Sequence, residues 1–320
     1  MPSSIRASVT TESRRGQQRL LANAPGQHDP RGSIATRMAR RLLHDHVTVL
    51  GLILFVALAL PSFLAPIIAP YPYEKFVGAP LQPPGPQFPL GTDEIGRDIL
   101  SRIMYGGRTS LTVGLSAALV ALAVGLPLGL ISGYAGGAYE TVIMRVMDGL
   151  LAFPGLMLAL AAVAVLGPNL RNTIIAIAIV SVPVFTRLAR ASVLIFKERE
   201  FVQAVRGMGA GDPHVVLRTI LPNAAPPLTV QFSLTFANAV LAEAGLSFLG
   251  LGVQPPLPSW GMMLKTGKNV MAISPLYPVI AGAAVFLVVL SLNLIGDGLR
   301  DALDPFQITR PLANRAHAGR

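Results

Sequence analysis

The stretch 198-EREFVQAVRGMGAGDPHVVLRTILPN-223 lies between two long apolar runs. It is too polar to remain in hydrocarbon, where unsatisfied polar groups cost several kcal/mol each. Its pattern predicts two short helices around a glycine hinge. The first covers roughly Glu198–Met208, and Gly209, Ala210 and Gly211 then supply the permissive backbone of a sharp turn. Asp212 as N-cap and Pro213 at the first helical position start the second helix, which Pro222 closes. A rigid helix-turn-helix between two membrane crossings is a docking knob for a soluble partner.

The flanking sequence sets the solvent. The 320 residues are 52% hydrophobic and only 13% charged, with a mean hydropathy of +0.57, whereas a soluble domain carries about 25% charged residues. About 20 apolar residues cross a bilayer as helix. Six runs qualify: Val47–Ile68, Thr109–Tyr139, Gly149–Leu170, Asn172–Phe196, Pro222–Ala242 and Met271–Gly296. The fourth is cut by Arg187 and Arg190, which fit an interfacial end where long cations reach out of the apolar layer. The expected fold is an all-α integral membrane protein of six transmembrane helices, with a cytoplasmic coupling helix-turn-helix over about 198–223. With the N-terminus inside, nineteen Lys and Arg fall on the inner side and seven on the outer, which orients both termini to the cytoplasm. The +10 net charge thus reads as membrane orientation, with no nucleic-acid partner. Residues 1–46 read as an Arg-rich cytoplasmic tail, 47–306 as the six-helix transmembrane domain and 307–320 as a second cytoplasmic tail. Ser13-Arg14-Arg15 does not make a twin-arginine signal, because the apolar run starts about thirty residues too late.

Four further motifs stand out. In Pro89–Asp98, Asp93 with Arg97, and Asp98 with Arg102, are spaced as i,i+4 ion pairs on a short interfacial helix striped by Ile95, Ile99 and Ile103. On physical grounds alone this is a solvated anchor. Gly125, Gly129, Gly133 and Gly137 repeat every four residues and form a ridge for close helix packing, with Pro127 as a kink. Glu243 lies at membrane depth, where an acid either lines a translocation pathway or is hydrated at the outer interface; both readings stay open. Trp260, the only tryptophan, sits in a Gly- and Pro-rich segment that suits an interfacial anchor.

The loop also resembles the ATPase-contacting loop of ABC importer permeases, in which Glu-Ala-Ala is followed by three residues, Gly, nine residues and Ile-x-Leu-Pro. Gln203, Ala204 and Val205 stand at the first three positions, then Gly209, then Thr219, Ile220, Leu221 and Pro222. Gln203, Val205 and Thr219 depart from the pattern. PLGTDEIGRDILSR, the run from Leu246 to Gly261, and Leu292–Pro305 are similar to the dipeptide, oligopeptide and nickel class of these permeases. Membership would imply a binding-protein-dependent inner-membrane component. Its partners would be a second homologous permease, two cytoplasmic ABC ATPases, an extracytoplasmic substrate-binding protein and membrane lipid. On that resemblance the chain is a transporter subunit that binds no cofactor, with ATP used by the partners. The resemblance leaves the solute open among peptides, nickel complexes and related small molecules. An ion-coupled secondary transporter without ATPases is the alternative.

Catalytic and metal chemistry find little footing. There is no cysteine, hence no thiol nucleophile or thiolate site. Gly261–Asn269 has one residue too many between its glycines for a P-loop, and Asn where Ser or Thr is required. His44 and His46, flanking Asp45, lack a third ligand nearby and read as a solvated face.

Overall fold

The computed structural model describes residues 45–303, together with Leu42. The expected tails, 1–46 up to His44 and 307–320, lie outside the described residues. Among the described residues the regular structure is all helical, with one isolated bridge between Thr92 and Asp98 and irregular segments over 69–98, 249–259 and 270–275. In order it forms α1 (His46–Phe63), α2 (Ala65–Ile68), α3 (Ile99–Ala135), α4 (Gly137–Leu151), α5 (Gly155–Leu166), α6 (Leu170–Phe196), α7 (Glu200–Gly207), α8 (Asp212–His214), a π-helical turn (Val215–Ile220), α9 (Leu221–Phe248), α10 (Trp260–Asn269) and α11 (Leu276–Leu303).

Among the described residues, α1, α3, α6 and α11 are long and apolar enough to cross a membrane; α4 and α5, bent by 93° at their junction, make a fifth if counted as one crossing. The bend corrects the expected third span, since Phe153 and Pro154 break the run Gly149–Leu170 and leave α5 only 12 residues. At 28 residues, α9 measures about 42 Å at 1.5 Å per residue. Its apolar character is diluted by Gln231, Ser233, Thr235, Asn238 and Glu243.

Packing in lipid inverts the soluble pattern, because large apolar side chains gain nothing by turning inward. α1 shows this. Thr48, Gly51, Ala59 and Ser62 are buried, while Leu50, Ile53, Val56 and Leu60 are exposed. The same logic joins α3 to α6. A Cβ on Gly125 would stand 2.7 Å from the Val182 carbonyl, one on Gly129 2.6 Å from Ala189 Cβ, and one on Gly133 2.8 Å from Val193 Cβ. Only glycine admits that approach. Gly137 is not part of the ridge: α3 stops at Ala135, and Gly137 opens α4 with φ +57° and nothing within 4 Å of its Cβ position.

The segment before α3 is not the expected interfacial helix. Gly96 at φ +83° folds it into a turn, and Asp98 caps α3 by accepting from Ser101 N (2.8 Å) and Ser101 Oγ (2.6 Å). Asp93 pairs with Arg97 (2.7 Å), and it also takes Arg102 (3.3 Å), which the spacing had assigned to Asp98. Asp93, Asp98 and Arg102 are all buried, so the cluster is internal scaffolding and not a solvated face. Burial, and then the charge of Asp93, push the Glu94 carboxyl above the ordinary carboxylate range. Trp260 is buried too; its indole N–H donates to the Ile103 carbonyl (3.0 Å), so it ties α10 to α3 and is no interfacial anchor.

Candidate functional site

The loop between α6 and α9 has an anchored side and an exposed side. Val202, Val215 and Ile220 are buried with Val193 of α6 and Leu130 of α3. Tyr134, at the end of α3, donates its phenol to Asp212 (2.5 Å), and the Arg206 guanidinium lies 5.1 Å from the centre of the Tyr134 ring. Asp212 is therefore not the N-cap; Gly211 holds that place and the Asp212 carboxylate is spent on Tyr134. Gly209 makes the turn at φ +87°, with nothing within 4 Å of its Cβ position.

Facing outward are Phe201, Gln203, Ala204, Met208 and Leu217, with Val205 half-buried. Of the remaining loop positions singled out from sequence, Ile220 is buried, Leu221 half-buried and Pro222 exposed. Pro222 does not close the segment. It falls in the first turn of α9, and the chain is helical without a break from Asp212 to Phe248. The π turn explains why. Leu221 N–H reaches back to the Val216 carbonyl, and this wider i→i+5 register relieves the clash a proline ring meets in a regular helix.

A cavity of about 560 Å³ lies where α5, α6 and α9 meet. Leu156 and Ala159 of α5, Ile177 and Ser181 of α6, and Asn238 and Ala242 of α9 line it. Its wall is apolar except for Ser181, whose hydroxyl donates to the Ile177 carbonyl, and the exposed Asn238 amide. Asn238 was missed from sequence, although an amide deep in the apolar run Pro222–Ala242 was the available signal.

Glu243, five residues beyond Asn238 on α9, does not line this cavity. It is wholly buried: Oε1 accepts from Ser247 Oγ (2.6 Å) and Oε2 from Ser110 Oγ (2.7 Å). Ser110 Oγ in turn accepts from the Trp260 amide (3.2 Å). The carboxylate thus brackets α3, α9 and α10, and in this conformation it is neither a pathway wall nor hydrated at an interface. Nearer the loop, Arg187 pairs with Asp148 (2.7 Å) and Arg190 with Glu140, tying α6 to α4.

Residues 125–308 match the family described as "Binding-protein-dependent transport system inner membrane component", more than half of the chain. The chain belongs to that family. Residues 33–84 match the "N-terminal TM domain of oligopeptide transport permease C". Among its relatives, the glutathione transport system permease protein GsiD of Pectobacterium atrosepticum is 42% identical over 268 residues, 83% of this chain and 89% of that protein. The di/tripeptide transport system permease protein DppC of Pseudomonas aeruginosa is 45% identical over 269 residues, 82% of this chain and 89% of that one. The dipeptide transport system permease protein DppC of Alkalihalophilus pseudofirmus is 44% identical over 267 residues, 83% and 88% of the two chains. Among solved structures, the inward-facing MetNI methionine ABC transporter shares the fold at a TM-score of 0.51 and 17% identity, over 62% of this chain and 94% of that one. This permease is accordingly a multi-pass inner-membrane transport component with the all-α ABC permease fold.

Proposed function

We propose that this permease is one of two membrane subunits of an ATP-driven importer of short peptides, receiving solute from an extracytoplasmic binding protein and releasing it to the cytoplasm. In this reading α9 is the fifth of six crossings, both termini are cytoplasmic, and two ATPase subunits carry the nucleotide chemistry. The solute class follows the relatives, whose names specify glutathione, di- and tripeptides, and dipeptides.

The observation that carries the reading is the knob around Gly209. It exposes Phe201, Met208 and Leu217, apolar surface that a soluble partner would cover. Behind it, Val202, Val215 and the Tyr134–Asp212 bond fasten it to α3 and α6. A push on the knob is passed in two directions. One runs through α6 to Ile177 and Ser181; the other runs up the unbroken α9, about 26 Å from Leu221 to Asn238 at 1.5 Å per residue. Both end at the same cavity, which is the natural pathway wall for a two-state switch between outward and inward openings. An ion-coupled transporter would be favoured by intramembrane acids and inverted internal repeats; no repeat is evident in the sequence, and Glu243 is bonded to two serines.

The test is Gly209. At φ +87° a β-branched residue costs about 1–3 kcal/mol of strain, while Asn enters this region readily. The open space around Gly209 makes the cost conformational and not steric. We expect Gly209→Val to insert normally but to lose ATPase copurification and about tenfold of dialanine uptake, one decade per 1.4 kcal/mol, with Gly209→Asn close to wild type. Full copurification and uptake in the Val variant would remove the coupling role. A wild-type complex with docked ATPases that imports no short peptide would refute the solute class alone.

A further inference from the structure

At the end of the molecule opposite the knob, a second pocket of about 270 Å³ is lined by Tyr73, Tyr105, Arg108, Thr109, Thr112 and Leu170, together with Leu257 and Pro258 before α10. Arg108 was counted from sequence only as an outer cation. The fold makes more of it. Its guanidinium is exposed, and among the described residues it makes no ion pair within 4 Å; Asp93 and Glu94 are engaged by Arg97 and Arg102, and the acid beside the pocket is Glu74, next to Tyr73.

The rings beside it are held in place. Buried Arg102 donates to the Tyr73 carbonyl (3.2 Å) while its charge is met by Asp93, which fixes Tyr73 against Tyr105 with ring centres 5.0 Å apart. Burial, and then the neighbouring Glu74 carboxylate, keep the Tyr73 phenol above its ordinary pKa, so it stays a proton donor at neutral pH. The Thr109 and Thr112 hydroxyls donate to the Tyr105 and Arg108 carbonyls, which pins this turn of α3. A guanidinium projecting from a pinned turn of backbone beside phenols is the chemistry that recognises a carboxylate: a planar fork of donors matched to two oxygens.

Position adds a second argument. Leu170 lines this pocket, and Ile177, seven residues on, lines the large cavity. Seven residues are two helical turns less about 20°, so the same face of α6 serves both, about 10 Å apart along the axis. Solute arriving from outside meets Arg108 first.

We propose that this pocket receives the free carboxylate of the transported solute at the outer mouth, with Arg108 as its charge partner and Tyr73 and Tyr105 as its wall. The inference rests on the peptide-importer reading above. Its test uses the assembled importer, with ATPases and binding protein, in proteoliposomes. Saturation-transfer NMR on the complex without binding protein, using dialanine and dialanine amide as probes, is read for wild type, Arg108→Gln and Arg108→Lys. Transfer to dialanine is expected in wild type, several-fold weaker for the amide, lost in Arg108→Gln and partly kept in Arg108→Lys. Uptake of dialanine per inserted complex should fall at least fivefold in Arg108→Gln through a raised half-saturation concentration.

Equal transfer to acid and amide in wild type, or unchanged acid preference in both variants, would overturn the proposal. Loss of uptake in step with abundance, with preference intact, would make Arg108 structural. An effect that follows the lipid headgroup and leaves the acid preference alone would assign Arg108 to lipid phosphate, also against the proposal. If wild type imports dialanine while these preferences fail, the pocket assignment falls and the peptide-importer reading stands.

Discussion

Glu243 shows how far a single residue can be read. An acid inside an apolar run signals a special environment, because an ionised group in hydrocarbon is expensive unless partnered. That signal was legible, but the partners were not: Ser110 lies 133 positions away in sequence, and its hydroxyl is shared with the Trp260 amide. Both carboxylate oxygens accept from hydroxyls, and the hydrogen-bond inventory decides what a change would do. Glu243→Gln puts an NH₂ donor where an acceptor is needed, so one serine loses its partner or must reorient. A buried group left unsatisfied costs about 1–3 kcal/mol. We therefore expect Glu243→Gln to lower membrane abundance and thermal stability together with uptake, and Glu243→Leu to do so more severely. Normal abundance with selectively lost uptake, measured by immunoblot and transport on the same cells, would return Glu243 to the pathway.

At the scale of elements, the sequence located most helices and mistook several ends. The apolar runs Thr109–Tyr139 and Met271–Gly296 both lie largely within helices, yet α3 begins ten residues earlier, at Ile99, and α11 continues to Leu303. Hydropathy stops at Arg102 and Arg108, whereas the backbone follows the Asp98 cap. Likewise, i,i+4 arithmetic on Asp93–Arg102 assumed a helix that Gly96 at positive φ forbids. The glycine spacing in α3 was legible as a packing ridge, but only the fold names α6 as its neighbour and sets Gly137 apart. From this follows a prediction with opposite signs. Gly129→Ala must push into Ala189 and the backbone of α6 and should cost about 1–3 kcal/mol as overpacking. Gly149→Ala, in α4 with nothing within 4 Å, should be neutral or stabilise by up to about 1 kcal/mol through helix propensity. Unfolding in mixed micelles measures both, and equal effects would mean that the α3–α6 contact does not depend on glycine.

For the whole molecule, the orientation argument changes weight once the ends of the helices are known. One end gathers the segment before α3, the α5–α6 junction and α10; the other gathers the α3–α4 junction, the knob and the end of α11. Within the described residues the knob end holds Arg145, Arg187, Arg190, Lys197, Arg199, Arg206, Arg218 and Arg300, and the far end holds Lys75, Arg97, Arg102, Arg108, Arg171, Lys265 and Lys268. That difference is too small to orient a protein. The nineteen-to-seven asymmetry is carried by the eight Arg before α1 and by Arg310, Arg315 and Arg320, and the positive-inside rule counts cations close to the first crossing most heavily. The expectation is thus a knob in the cytoplasm for the sake of the tails and not of the knob itself. Because the chain has no cysteine, the test has a blank background: Gly211→Cys in the knob and Asn269→Cys at the end of α10, both exposed positions. An impermeant maleimide should label Asn269→Cys in intact cells and reach Gly211→Cys only after permeabilisation. The reverse pattern would put Phe201, Met208 and Leu217 outside the cell, beyond the reach of any cytoplasmic ATPase, and would move the Arg108 pocket from the entry of the pathway to its exit.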